Sequence, residues 1–258
     1  MGAVELNYKE YGGGDQCLII LHGLLGMLDN WHSMATMYAE KMKVFTIDQR
    51  DHGRSPHTDE LSYPLMAEDL FLFIEQNAIE KINLMGHSMG GKTAMFFANQ
   101  YPDLIEKLLV VDMFPFKGAG DHLEVFEALS AIDIRNLKSR KEADEILSFK
   151  ISDIGLRQFL LKNIDRNPDG GYCWKMNLKT IFDSYDKINE GVPEKSVDVP
   201  TLFIKGANSP YIKAEDLNRY RLIFPQAKLG VIENAGHWVH ADKPEEFFKL
   251  SSEFILGN

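Results

Sequence analysis

A chain of 258 residues, 45% hydrophobic and 26% charged, has a globular balance and enough length to bury a core without disulfide or metal staples. Its net charge of −10 argues against a nucleic-acid partner, which would need a basic surface to meet phosphates. Its cysteines, Cys17 and Cys173, are too few for a disulfide framework or a Cys/His metal site, and Cys17 lies in an apolar run that reads as core. Residues 1–6 lack the basic and apolar regions of a leader peptide, and no apolar run approaches the ~20 residues that cross a bilayer. The expectation is a cytoplasmic protein with no membrane partner.

Residues 4–11 alternate in polarity and predict an antiparallel edge strand, closed by a turn at Gly12-Gly13-Gly14. Short apolar runs follow at 18–21, 44–47, 82–85, 108–111, 202–204 and 229–232. Between them lie helical patterns at 31–42, 63–77, 89–101, 214–224 and 245–255. This is the βαβ rhythm of a parallel sheet, and strands this continuously apolar imply helices over both faces. The rhythm breaks after Asp112. Residues 114–198 contain amphipathic stretches at 123–130 and 141–150 but no strand-like run. The pattern predicts a single α/β domain over 1–258, with its core in 1–113 and 199–258 and a helical cap, 114–198, inserted between two strands.

The chemistry gathers just behind the apolar runs. Gly86-His87-Ser88-Met89-Gly90 follows one run and opens a helical pattern, the setting of a nucleophile elbow that exposes a strained serine at a sheet tip. G-x-S-x-G alone arises by chance in about one chain in ten of this length, so its context decides. The same residues, continued through Gly91-Lys92-Thr93, also satisfy the phosphate-binding G-x-x-x-x-G-K-[ST], and 108–112 resembles a strand ending in a magnesium-binding aspartate. One turn cannot both present a serine and wrap a phosphate chain. The hydrolase reading uses His22-Gly23 and Gly236-His237 as well, residues that an NTPase would leave idle.

A serine hydroxyl needs a base, and histidine is poised for that role near neutrality. Of the 8 histidines, His237 lies just past the last strand-like run, at the sheet edge where Ser88 is expected. His87 adjoins the serine but should point away from it, and His22, His52, His57 and His240 read as structural. Asp112 ends the strand after the elbow helix and is the candidate acid. Asp198 lies at the wrong end of its strand, and Glu215 and Asp216 look solvated. Ser88, Asp112, His237 follow the chain order of the α/β-hydrolases. Backbone N–H groups of Met89 and of Leu24, in His22-Gly23-Leu24-Leu25-Gly26, are the candidate oxyanion donors.

These motifs, with Asp48-Gln49-Arg50-Asp51-His52-Gly53-Arg54-Ser55-Pro56, Asn208-Ser209-Pro210-Tyr211 and His237-Trp238-Val239-His240, resemble the α/β-hydrolase superfamily, and within it the small bacterial esterases of the YbfF type and their mitochondrial relatives. The resemblance implies a Ser-His-Asp carboxylesterase, active also on acyl thioesters, with small-molecule acyl substrates and no cofactor or metal. Ser209 stands where the superfamily's usual acid would be, and the subgroup resemblance implies that Asp112 replaces it. Trp238, beside the base, is the candidate substrate-binding residue. Phe114, Phe116, Phe126, Phe149, Phe159, Trp174 and Phe182 are candidates for the acyl pocket or for the cap's own core. The same triad could serve C–C bond hydrolysis or acyl transfer to an acceptor other than water. A hydrolase-fold receptor would use it to recognise a ligand, and no sequence feature favours that.

Overall fold

The computed structural model describes residues 2–118 and 122–257. Its strands are β1 (Tyr8–Tyr11), β2 (Cys17–Leu21), β3 (Lys43–Ile47), β4 (Ile82–His87), β5 (Ile105–Val111), β6 (Ile164–Arg166), β7 (Tyr172–Trp174), β8 (Thr201–Gly206) and β9 (Lys228–Ile232). Seven form one sheet in the order β1-β3-β2-β4-β5-β8-β9, and β6 and β7 form a separate hairpin. β1 runs antiparallel to β3, Tyr8 opposite Ile47, as the edge strand expected; the other neighbours in the sheet pair in parallel.

Parallel pairing demands crossovers, and the helices supply them on both faces. α1 (His32–Tyr38), α10 (Val239–Asp242) and α11 (Pro244–Leu256) cover one face. α2 (Tyr63–Gln76) and α3 (Met89–Gln100) cover the other, with α9 (Leu217–Tyr220). Successive side chains of β2 divide accordingly: Leu18 and Ile20 pack with Trp31 and Phe247, while Ile19 and Leu21 pack with Leu70 and Phe97. Each buried leucine or isoleucine contributes about 1.5–3 kcal/mol against exposure, which explains why the central strands carry no polar face. The expected helix over 31–42 is shorter, a 3-10 turn at Leu28–Trp31 leading into α1, and the one over 214–224 reduces to a 3-10 turn and α9.

Between β5 and β8 lie α4 (Leu123–Ser130), α5 (Arg140–Ser148), α6 (Ile154–Leu161), α7 (Leu178–Asp183) and α8 (Tyr185–Ile188). Side-chain oxygens of Ser139 and Asp153 accept from the N–H groups of Glu142 and Leu156 and so start α5 and α6. Phe126, Leu129, Leu147 and Leu160 form an apolar cluster here that is continuous with Leu25, Tyr63 and Met89 beneath it. The β6–β7 hairpin departs from the expectation of no strand in this segment. Three-residue strands show no periodicity, but the turn between them, Asn167-Pro168-Asp169-Gly170-Gly171, is turn chemistry, with φ of 102° and 77° at its glycines. No helix among the described residues is long and apolar enough to cross a membrane.

The parallel register aligns the C-terminal ends of β2, β4, β5 and β8 on one edge: Leu21 pairs with Gly86, His87 with Val111, Val111 with Ile204. The next residues in the chain, His22, Ser88, Asp112 and Ala207, therefore emerge together, where open α/β sheets bind ligands.

Candidate active site

β4 turns into α3 through Ser88, whose φ is +52°. Such left-handed backbone costs a non-glycine residue about 1–3 kcal/mol, and its surroundings hold it there. Ser88 N–H donates to Val111 O at 3.0 Å, and Ser88 O accepts from Lys92 N–H at 3.1 Å. The flanking glycines are sterically required. A Cβ on Gly86 would stand 2.1 Å from Gly90 O, and one on Gly90 would stand 2.5 Å from the carbonyl oxygens of Leu21 and His22.

Asp112, at the end of β5, also has positive φ, +49°, and its N–H donates to Ile204 O at 2.8 Å. Its carboxylate is fully buried. It accepts from His237 Nδ1–H at 2.7 Å, from Gly206 N–H at 3.3 Å and from the Ser209 hydroxyl. The bond at Nδ1 leaves Nε2 of a neutral imidazole as acceptor. The ring stacks on Tyr211, centroids 4.2 Å apart and 19° between planes. The carbonyl of His237 accepts from His87 Nε2–H at 2.9 Å. Burial first, then the neighbouring His237 and His240, hold the His87 ring neutral with its pKa well below the usual value.

Beside the elbow, Gly23 to Gly26 form a turn closed by Gly26 N–H on Gly23 O at 3.0 Å, with Leu25 at φ +59°. Two neutral histidines shape it. His22 donates from Nδ1 to Gly23 O at 2.8 Å and accepts at Nε2 from Gln49 N–H at 3.1 Å. His52 donates from Nδ1 to Arg50 O at 2.9 Å and accepts at Nε2 from Leu25 N–H at 3.2 Å. Burial lowers their pKa values to about 4 and about 3. Residues 48–56 are the scaffold behind this turn. Asp48 accepts from Leu28 N–H at 2.7 Å and Arg54 N–H at 2.9 Å, and buried Arg50 donates twice to Asp69, each bond 2.6 Å.

A cavity of about 280 Å³ joins these parts. Ser88, His237, Leu24 and Trp238 line it, with Leu156 and Phe159 of α6 closing it from the inserted segment. Among the described residues that line it there is no lysine, arginine, aspartate or glutamate. Met89 is the first residue of α3, so its N–H is among those a helix leaves without an internal partner. Of the seven aromatic candidates in the inserted segment only Phe159 lines this cavity. Phe126 is buried in the segment's own core, Phe114 and Phe116 pack against the sheet core, Phe149 is 89% exposed, and Trp174 and Phe182 border a different groove.

Nothing in this geometry is a phosphate loop. Lys92 is buried, and its Nζ donates to the carbonyls of Gly118 at 2.8 Å, Glu190 at 2.7 Å and Asn189 at 3.4 Å, tying together the two ends of the inserted segment. Burial lowers its pKa to about 8, opposed by Glu190. Thr93 Oγ donates to Met89 O at 3.2 Å within α3, and Asp112 is occupied by His237. Cys17 is the buried thiol expected, its pKa pushed up to about 12 mainly by burial. Among the described residues no group of three or more His, Cys, Asp or Glu side chains is arranged to hold a metal ion.

Sequence reasoning missed the contacts that act across the chain. Ser209 was marked only as a departure from the usual acid, yet its hydroxyl binds the Asp112 carboxylate; Tyr211, His52 and His87 lay in motifs already singled out, but no local pattern told what they would contact.

Family comparison agrees with this architecture. The alpha/beta hydrolase fold family matches residues 16–134. A protein of Haemophilus influenzae named putative esterase/lipase is 40% identical, over 93% of this chain and 83% of that protein. Esterase YbfF of Escherichia coli is 34% identical, over 92% of each. The solved structure of a marine microorganism esterase superposes with a TM-score of 0.94 at 45% identity, covering 98% of this chain and 100% of the other. The chain belongs to the α/β-hydrolase family. Within that family it stands among the esterases.

Proposed function

We propose that this protein is a serine carboxylesterase that works through a Ser88-His237-Asp112 triad and an acyl-enzyme. The observation that carries this reading is the 2.7 Å bond from His237 Nδ1–H to the buried Asp112 carboxylate, on the wall of the cavity that Ser88 also lines. His237 Nε2 takes the Ser88 proton as Oγ attacks the substrate carbonyl. Asp112 keeps the tautomer and stabilises the imidazolium that forms. The oxyanion is held by the N–H groups of Leu24 and Met89, each worth about 2.7–4 kcal/mol of barrier. The proton then passes from His237 to the leaving alcohol. Water, deprotonated by the same nitrogen, releases the acid and frees Ser88.

The cavity supports the substrate class. Walls of leucine, phenylalanine and tryptophan, with no lysine, arginine, aspartate or glutamate among the described lining residues, suit an uncharged acyl chain rather than a dicarboxylate. Trp238 and Phe159, centroids 5.8 Å apart, would flank that chain, with segment 114–198 acting as the cap. An acyl thioester presents the same carbonyl to the same groups, so thioester hydrolysis belongs to this proposal. No step calls for a cofactor. The Ser88→Ala variant is expected to hydrolyse a p-nitrophenyl acyl ester about 10⁶-fold more slowly than the wild type, as loss of a triad serine does elsewhere. Turnover within tenfold of the wild type would reject the assignment.

A further inference from the structure

The Gly23–Gly26 turn is held from two sides. Leu25, its third residue, is a leucine at φ +59°, a conformation that favours glycine. Both of its backbone polar groups are engaged by side chains. The N–H donates to His52 Nε2 at 3.2 Å, within the sheet's own loops. The C=O accepts from Asn163 Nδ2 at 2.8 Å, from a residue 138 positions away in the inserted segment.

Asn163 is built for that contact. It is fully buried between α6 and β6. Its N–H donates to Leu160 O at 3.0 Å, and its C=O accepts from Lys175 N–H at 2.8 Å beside the hairpin. The side-chain nitrogen also lies 3.4 Å from Leu160 O, so the amide turns its NH₂ toward two carbonyls, which settles its orientation. The two residues before Leu25 in the turn are Gly23 and Leu24, and Leu24 lines the cavity. The turn's own closing bond, from Gly26 to Gly23, does not use Leu24 N–H.

We infer that Asn163 is a positioning residue for the oxyanion hole: through one amide, the inserted segment holds Leu25 so that Leu24 N–H is aimed at the reacting carbonyl. This rests on the esterase reading above. The hole is then a joint product of two parts of the chain, complete only when the segment is seated on the sheet edge. A segment displaced by a bulky substrate would lose oxyanion stabilisation as well as shielding from water.

The test compares wild type with Asn163→Ala and Asn163→Ser. The serine keeps a polar side chain but stops short of Leu25, and serves if the alanine variant does not fold. Rates on a short p-nitrophenyl ester are measured beside the affinity of a trifluoromethyl ketone, which forms a tetrahedral adduct with a nucleophilic serine. A misaligned donor should lower kcat by about 10–100-fold, with KM within about twofold. Ketone affinity should fall by the same factor as kcat, because both report the tetrahedral oxyanion. A purely structural role predicts a lower melting temperature with unchanged kcat and ketone affinity in the folded fraction, and that result overturns the inference. Hydrolysis that survives Ser88→Ala would instead reject the esterase reading itself. Hydrolysis lost in Ser88→Ala but untouched in both Asn163 variants rejects this inference alone.

Discussion

The sheet and the segment inserted between β5 and β8 are built on different rules. In the sheet, short apolar runs are buried on both faces, and the proposed chemistry sits where those runs end, at Ser88 and Asp112, both with positive φ. The inserted segment is made of short helices and a hairpin of two three-residue strands, and its apolar cluster is shared with Leu25, Tyr63 and Met89 below it. It supplies neither the nucleophile, the base nor the acid of the proposed triad. It contributes cavity wall, through Leu156 and Phe159, and the Asn163 bond to the turn. A strained, glycine-flanked edge can hold reacting atoms because the sheet over-determines it, whereas the overlying layer meets that edge through a shared apolar cluster and the Asn163 bond.

Asp112→Asn should separate the two regions most sharply. The amide lets the imidazole take the wrong tautomer, and kcat on a p-nitrophenyl ester is expected to fall about 10⁴-fold. The Ser209 hydroxyl and the Gly206 N–H remain available to the new side chain, so folded structure by circular dichroism should persist. A loss of less than tenfold would mean that another carboxylate supports His237.

Acid should act on the same division more gently. His22, His52 and His87 belong to the sheet and its loops and His240 to α10 packed on it, and burial holds each below its ordinary pKa, the first two at about 4 and about 3 and His240 at about 3. In the unfolded chain they bind protons below about pH 6.5, while in the folded protein they stay neutral. The unfolded state is thus favoured as pH falls. Stability from these groups is complete above about pH 6.5 and is lost as pH falls toward 4 and below. Urea unfolding between pH 7 and pH 4.5 should show this slope, with hydrogen exchange rising first in the loops around residues 22–26 and 48–56 rather than in α4 to α8. A flat profile, or earlier opening of the inserted segment, would contradict it.

The sheet was legible in the sequence because its inner strands are short apolar runs bounded by polar residues, a pattern burial on both faces enforces, while the exposed edge strand β1 showed as an alternation. Ser88, Asp112 and His237 could be picked out for the same reason, since each stands behind such a run at the same edge. The inserted segment was legible only as an interruption. Its hairpin strands are too short to alternate, and which of its aromatics face the cavity depends on how the helices lie on the sheet, so Phe159 could not be told from Phe126 or Phe149. Ser209 on Asp112 and Asn163 on Leu25 are contacts across 97 and 138 residues, with no local pattern to announce them. His87 and His52 were read as bystanders in reaction terms. Their hydrogen bonds show them holding the backbone of His237 and Leu25.

The central claim is that Ser88 is the nucleophile in this arrangement. Incubating the native protein with a fluorophosphonate and mapping the adduct by peptide mass spectrometry tests it directly. The account predicts one phosphonyl group per chain, on Ser88, appearing in step with loss of ester hydrolysis and prevented by prior acid unfolding. Complete inactivation with the label on another residue, or full labelling of Ser88 with hydrolysis intact, would contradict it.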